Sequence, residues 1–103
     1  MGIFNLFGSN TSVSVIEEYL EKNAIVIDVR TIEEFEDGHV QGSKNIPLNH
    51  IGAHIDELKK RGKPVITCCR SGARSGSAAT ILKQHGIDAI NGGPWGSVAN
   101  CIK

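Results

Sequence analysis

The sequence lacks an excess of either charge and any long hydrophobic run. Its 103 residues include 11 Lys and Arg and 11 Asp and Glu, so the basic excess typical of nucleic-acid-binding proteins is missing. No apolar stretch is long enough to span a membrane, and residues 1–10 contain no Lys or Arg to begin a secretory signal. We therefore expect a cytoplasmic protein with no nucleic-acid or membrane partner, either a monomer or a weak dimer.

Cysteine is scarce as well, and the three thiols are Cys68, Cys69 and Cys101. An odd number without regular spacing does not fit a disulfide framework, so we expect free thiols. Repeats and low-complexity segments are also missing. A chain of this length predicts one domain, which we place at residues 12–103 after a short extension over residues 1–11.

Four segments have the apolar, β-branched composition of buried strands. The two clearest are residues 24–29 (AIVIDV) and 64–69 (PVITCC), whose continuous apolar runs are typical of strands covered on both faces. Shorter candidates are residues 88–91 and 44–46. We interpret the pair Gly92 and Gly93, which follows the last strand, as turn residues.

Amphipathic segments alternate with these strands. Two of them begin with the pattern of a capping box, Ser14 with Glu17 and Thr31 with Glu34. The others are predicted at residues 49–61 with Asn49 as cap, at 75–85 and at 94–103. Alternating strands and helices predict an α/β domain with a mostly parallel central sheet and helices on both faces.

Cys69 stands where such a sheet binds its ligands, at the carboxyl end of a strand and before a loop that leads into a helix. Backbone N–H groups of the loop, the helix N-terminus and the guanidinium groups of Arg70 and Arg74 would all favour a thiolate. Burial would oppose them. We expect the favourable contributions to win, with a cysteine pKa below the ordinary value of about 8.5 and a sulfur that is open to a donor.

Several motifs in a fixed order resemble the rhodanese family of sulfurtransferases. The resemblance runs from about residue 12 to residue 95, and its closest likeness is to single-domain bacterial members. The motifs are the Asp-Val-Arg of 28–30, the Glu-Phe of 34–35, the Gly-His-Val-x-Gly-Ser of 38–43, the Asn-Ile-Pro of 45–47, the Cys-Arg-Ser-Gly-Ala-Arg of 69–74 and the Gly-Gly-x-Trp of 92–95.

This resemblance implies a mechanism as well as a fold. Cys69 would take a sulfane sulfur from a small-molecule donor such as thiosulfate, hold it as a persulfide, and pass it to cyanide, another thiol or a protein acceptor. No metal or organic cofactor would be needed. The loop residues that would cradle the persulfide are Arg70, Ser71, Gly72, Ala73 and Arg74. Asp28 and Arg30 are assigned to support that loop without touching the substrate.

Two other functions stay open at this point. Cysteine-dependent phosphatases and arsenate reductases also place a thiolate in a loop that ends in arginine, but with five residues between the two. Here four residues separate Cys69 from Arg74, which favours a bowl for a sulfur atom over one for a tetrahedral oxyanion. A non-catalytic binding module, or a sulfur carrier that works only with a protein partner, is the third hypothesis.

The remaining candidates have simpler explanations. Because strand side chains alternate, Cys68 points away from Cys69, and we interpret it as core filling, with a resolving thiol as the alternative. Cys101 is given no role beyond packing. His50 and His54 could share a helix face as metal ligands, but without a third ligand solvated histidines are the better interpretation.

Overall fold

The structure, a computed structural model, describes residues 11–102. Apart from Thr11, the expected N-terminal extension lies outside the described residues. Within the described part of the chain, no helix combines the length and the apolar composition that a membrane crossing requires.

A four-stranded parallel sheet forms the centre of the protein, as the sequence predicts. The strands are β1 (Ile25–Asp28), β2 (Lys44–Asn45), β3 (Val65–Cys69) and β4 (Ala89–Pro94), in the spatial order β2-β1-β3-β4. All neighbours run parallel. The carboxyl ends of the two central strands therefore lie at one edge, where Asp28 is the register partner of Cys68.

Helices cover both faces of this sheet. They are α1 (Val13–Glu21), α2 (Ile32–Glu36), α3 (Ile55–Arg61), α4 (Ala73–Gln84) and α5 (Trp95–Cys101), and a 3-10 segment, Leu48–His54, precedes α3. One core contains residues of β1 and β3 with α3 and α4, and the other combines the alternate strand residues with α1 and α5. The predicted α/β architecture is confirmed.

Only one of the two predicted capping boxes exists. The Thr31 hydroxyl accepts a hydrogen bond from the backbone N–H of Glu34, and the Glu34 carboxylate accepts one from the N–H of Thr31. The box at Ser14 and Glu17 was wrong, because α1 already begins at Val13 and its cap, Ser12, makes no side-chain capping bond.

The Asn49 cap and the Gly92–Gly93 turn were also wrong. Asn49 lies inside the 3-10 segment, and both glycines belong to β4, which runs to Pro94. A methyl group on Gly92 would come within 2.7 Å of Val98 and 2.9 Å of the Thr67 carbonyl oxygen. This glycine is therefore needed for the close approach of α5 and β3 to β4.

Candidate functional site

Cys69 ends β3 at the point where the chain turns into α4, and its sulfur receives hydrogen bonds from the turn. The N–H groups of Gly72 and Ser75 lie 3.0 and 3.4 Å from Sγ, and the Ser75 hydroxyl oxygen lies 3.3 Å from it. The backbone N–H of Ser71 makes a smaller contribution that also favours the thiolate. The predicted ring of inward N–H groups is thus present.

The balance of burial and hydrogen bonding lowers the pKa of the Cys69 thiol. Burial raises it, but the hydroxyl of Ser75 and the N–H groups of Ser75, Gly72 and Ser71 lower it, and the lowering prevails. The direction agrees with the prediction from sequence, and so does the predicted contribution of the loop N–H groups. No guanidinium is among these main causes, although the pKa of Arg74 is raised by its bond to Glu34 and, to a smaller extent, by the charge of Cys69.

The sulfur is also more enclosed than the sequence suggested. Cys69 is completely buried, whereas we expected an open mouth. Arg70 and Ser71, which form the outer part of the turn, are exposed.

Gly72 makes this turn possible. Its φ of 102° is a left-handed conformation that side chains with a Cβ rarely adopt. In that conformation its N–H faces the sulfur while its carbonyl oxygen accepts bonds from the N–H of Gly76, at 2.9 Å, and from the side-chain amide of Asn91, at 3.0 Å. One residue therefore links the sulfur, the first turn of α4 and β4.

Asn91 and Ser75 form a second layer of contacts behind the sulfur. The Ser75 hydroxyl donates to Asn91 Oδ1 at 2.6 Å, and the N–H of Gly93 donates to the same oxygen at 2.9 Å. Both side chains are buried. Thr67 adds an anchor, since its hydroxyl donates to the Ser75 carbonyl oxygen at 2.8 Å. The start of α4 is thereby fixed to β3 and β4.

Arg74 pairs with a carboxylate from another part of the chain. Its guanidinium donates two hydrogen bonds to Glu34, at 2.8 and 3.1 Å. The bonds from Arg74, followed by that from the Thr31 backbone, lower the pKa of Glu34 to about 2. In contrast, no ion pair of the described residues involves Arg70.

Asp28 and Arg30 form a buried ion pair on the other side of the sheet from Cys69. Arg30 Nη2 lies 2.7 Å from Asp28 Oδ2, and it also donates to the Gly38 carbonyl oxygen at 2.6 Å. The guanidinium lies 5.0 Å from the ring centre of Trp95. No hydrogen bond among residues 11–102 joins either side chain to the turn at 69–75. The pair supports the β1–α2 connection and Trp95.

Cys68 faces this second side, as predicted from strand alternation. It is fully buried in the core that includes Val26, Ile66 and Val98. Burial, followed by the charge of Asp28, raises the pKa of its thiol. Cys101 belongs to the same core, and its thiol donates to the Ser97 carbonyl oxygen at 3.3 Å.

A cleft of about 270 Å³ opens beside Arg74. It lies at the carboxyl ends of β1 and β2, and its surface is mostly apolar. The lining residues are Val29, Thr31, Pro47, Leu48, Asn49 and Arg74.

Three residues of the site were missed by the sequence reasoning: Glu34, Ser75 and Asn91. Glu34 was recognised as part of a capping box and of the Glu-Phe motif at 34–35, but it was given no role at the site. Ser75 lies on the same face of α4 as the buried Ala78, Ala79 and Leu82. A polar residue among the buried positions of a helix is a sequence signal that could have identified it. Asn91 was assigned to a strand, and the hydrogen-bond partners that a buried amide needs were not predicted.

The fold is shared with known proteins. The sequence matches the family described as "Rhodanese-like domain" over residues 12–93. An uncharacterised protein of Bacillus subtilis, YqhL, is 41% identical over 67% of this chain and 54% of its own length. The putative sulfur carrier protein YrkF of the same species is 35% identical over 63% of this chain and 35% of its own length. The chain thus spans about half or less of these two relatives.

Thiosulfate sulfurtransferase PspE of Escherichia coli is 38% identical over 62% of this chain and 62% of its own length. A solved structure, described as a rhodanese with anions from E. coli, superposes with a TM-score of 0.67 at 33% identity and covers 74% of this chain and 92% of that one. The rhodanese-like domain protein of Staphylococcus aureus superposes with a TM-score of 0.68 at 27% identity, covering 82% and 86%.

Proposed function

The chain belongs to the rhodanese-like domain family, and on that premise we propose that it is a sulfurtransferase in which Cys69 carries the transferred sulfur as a persulfide. The observation that carries the proposal is the ring of hydrogen-bonding groups around Sγ: the backbone N–H groups of Gly72 and Ser75 and the hydroxyl of Ser75. Such a ring stabilises a sulfur anion, which is the nucleophile in sulfur transfer. The relative named thiosulfate sulfurtransferase adds support for the reaction class.

In the first half-reaction the Cys69 thiolate attacks the outer sulfur of thiosulfate. A bond forms between Sγ and that sulfur, the sulfur–sulfur bond of thiosulfate breaks, and sulfite leaves with the electron pair. In the second half-reaction an acceptor such as cyanide attacks the outer sulfur of the persulfide. Thiocyanate leaves, and the Cys69 thiolate is regenerated.

The hydroxyl of Ser75 would change its hydrogen-bond partner when the Cys69 thiol ionises. A hydroxyl has one hydrogen, and in the resting structure it points to Asn91 Oδ1, which leaves Sγ–H as the donor to Ser75 Oγ. When the thiol ionises, the hydroxyl hydrogen can turn to Sγ, while Asn91 Oδ1 keeps the bond from the N–H of Gly93. No buried oxygen loses its last partner in this exchange, so its cost is small.

Access to the sulfur requires a small opening of the turn, because Cys69 is covered. Arg70, Ser71 and Ala73 are the exposed residues of the turn, and we assign the movement to Arg70 and Ser71, which precede α4. Arg70 would then meet the donor with an unpaired positive charge. Loop residues that gate a site in this way move without disturbing the sheet that positions it.

A sulfur carrier that acts only with a protein partner is the second candidate. The relative named as a putative sulfur carrier favours it, and so does the covered sulfur. In that case a partner surface, and not the small donor, would open the turn.

The two candidates are separated by loading the purified protein with thiosulfate and measuring its intact mass. The enzyme hypothesis expects the gain of one sulfur atom, its removal by dithiothreitol, and thiocyanate formation when cyanide is added. Cys69→Ser should abolish all three, while Cys68→Ser, the matched control at the neighbouring position, should retain them. A protein that accepts no sulfur from thiosulfate but is loaded by a protein persulfide would support the carrier function. Sulfur loading that survives Cys69→Ser would contradict both.

A further inference from the structure

The pairing of Arg74 with Glu34 changes the charge that an incoming donor meets. From sequence alone the turn carries two cations, Arg70 and Arg74. In the structure the charge of Arg74 is offset by a carboxylate that receives two of its hydrogen bonds, at 2.8 and 3.1 Å. The site therefore presents about one net positive charge at the turn, and a negative group stands beside it.

Glu34 is held in this position by its own helix. Its Oε1 accepts bonds from the N–H and the hydroxyl of Thr31, at 3.0 and 3.2 Å, in the capping box of α2. The carboxylate cannot swing away from Arg74 without giving up these bonds. An anionic donor has to compete with the fixed carboxylate of Glu34 for Arg74. The same carboxylate also repels the donor.

The cleft beside Arg74 suits a different kind of donor. Its mostly apolar lining and its volume of about 270 Å³ provide room for the hydrocarbon body of an organic molecule. The sulfite leaving group of thiosulfate is a small and strongly hydrated dianion, and it gains nothing from such a surface.

We propose that Glu34 sets the donor preference of the site, disfavouring small dianions such as thiosulfate and favouring organic persulfides that carry an apolar body and at most one negative charge. The inference rests on the proposed function. With such a donor the Cys69 thiolate takes the outer sulfur of R–S–SH, the sulfur–sulfur bond breaks, and the thiol R–SH leaves with the proton. Charge and atoms balance without any further reactant.

Glu34→Gln is the variant that tests this, because a glutamine at the same place keeps an oxygen for the capping box but removes the charge. Exposed ion pairs are worth up to about 1 kcal/mol, so the KM for thiosulfate should fall roughly three- to fivefold. The KM for benzyl persulfide, generated in the assay, should change by less than about twofold on the same grounds. Glu33→Gln removes a carboxylate one position away on the same helix, where the side chain is exposed and forms no ion pair with any other described residue. It should change neither value.

A KM for thiosulfate that is unchanged or higher in Glu34→Gln overturns the proposal, and so does an equal decrease for both donors. If Glu34→Gln does not fold, Glu34→Asp replaces it, since the shorter side chain draws the charge away from Arg74. A smaller decrease in the same direction then supports the proposal, and no decrease refutes it.

A binding measurement separates this inference from the proposed function. Sulfite is titrated by calorimetry into Cys69→Ser with and without Glu34→Gln, a pair that needs no sulfur transfer. Tighter sulfite binding in the double variant supports the role of Glu34, whether or not the wild-type protein transfers sulfur. A wild-type protein that accepts sulfur from neither donor would refute the proposed function. Equal sulfite affinity in the two proteins refutes the role of Glu34.

Discussion

Cys68 and Cys69 follow one another in β3 and both are fully buried, yet their surroundings act on the two thiols in opposite directions. Cys68 faces Val26, Ile66 and Val98 near the charge of Asp28, and its pKa is raised. Cys69 faces the turn into α4, where N–H groups and a hydroxyl converge on its sulfur, and its pKa is lowered.

The difference shows that burial alone does not decide the chemistry of a cysteine. Removal from water penalises both thiolates, and only the one with directed hydrogen-bond donors is compensated. Those donors come from a turn that Gly72 allows and that Asn91 and Thr67 hold in place. The lowered pKa of Cys69 is thus a property of the turn into α4, whereas Cys68 lies in the core without such donors.

The ion pair of Asp28 and Arg30, on the Cys68 side of the sheet, offers the test with the largest expected effect. Arg30→Met would leave the Asp28 carboxylate buried without its partner, which should lower the free energy of unfolding by about 3–5 kcal/mol. Denaturant unfolding measures the loss. Arg61→Met, an exposed arginine at the end of α3, should change the stability by less than about 0.5 kcal/mol.

The same Arg30 variant should leave Cys69 almost untouched. The pH dependence of its alkylation by iodoacetamide, measured on the folded protein, should keep the midpoint of the wild type. A midpoint that moves with Arg30→Met would show that the ion pair acts on the turn after all, as the sequence first suggested.

Such a division between the two sides could be predicted only in part from the sequence. The apolar runs of β1 and β3 and the capping box of α2 are local signals, and they led to the correct sheet and to the alternation of Cys68 and Cys69. The bonds that define the site are not local. Ser75 and Asn91 are 16 residues apart, and Arg74 and Glu34 are 40 apart. No periodicity shows which carboxylate an arginine will meet, so the pairing of Arg74 with Glu34 was not predicted.

Ser75→Ala tests the Cys69 side at an intermediate size of effect. It removes a hydroxyl that can donate to the thiolate, and hydrogen bonds to charged groups contribute about 1.5–3 kcal/mol. We expect the pKa of Cys69 to rise and its alkylation at neutral pH to slow by roughly ten- to a hundredfold. The pH profile of the alkylation rate measures both.

Ser77→Ala provides the matched control for this experiment. Ser77 lies two positions further along α4 and is exposed, and within residues 11–102 its hydroxyl bonds only to the Ala73 carbonyl oxygen, at 3.5 Å. Its alkylation profile should coincide with that of the wild type. Equal rates in Ser75→Ala and the wild type would mean that the hydroxyl stays with Asn91 and that the N–H groups alone stabilise the thiolate.

The smallest expected effect concerns stability at the rim of the Cys69 side, where Glu34 pairs with Arg74. The pKa of Glu34 is lowered to about 2 in the folded protein, against about 4.3 in an unfolded chain. The ionised carboxylate therefore stabilises the fold above pH 4.3 or so, and this contribution is lost as the pH falls towards 2. Because the pair is partly exposed, it should be worth less than about 1 kcal/mol at neutral pH.

Chemical denaturation of Glu34→Gln and the wild type at pH 7 and at pH 3 should show a small deficit in the free energy of unfolding of the variant, and this deficit should narrow in acid. Glu33→Gln should show no such change. A deficit of the same size at both pH values would mean that the glutamine has disturbed the capping box of α2, and not the ion pair with Arg74.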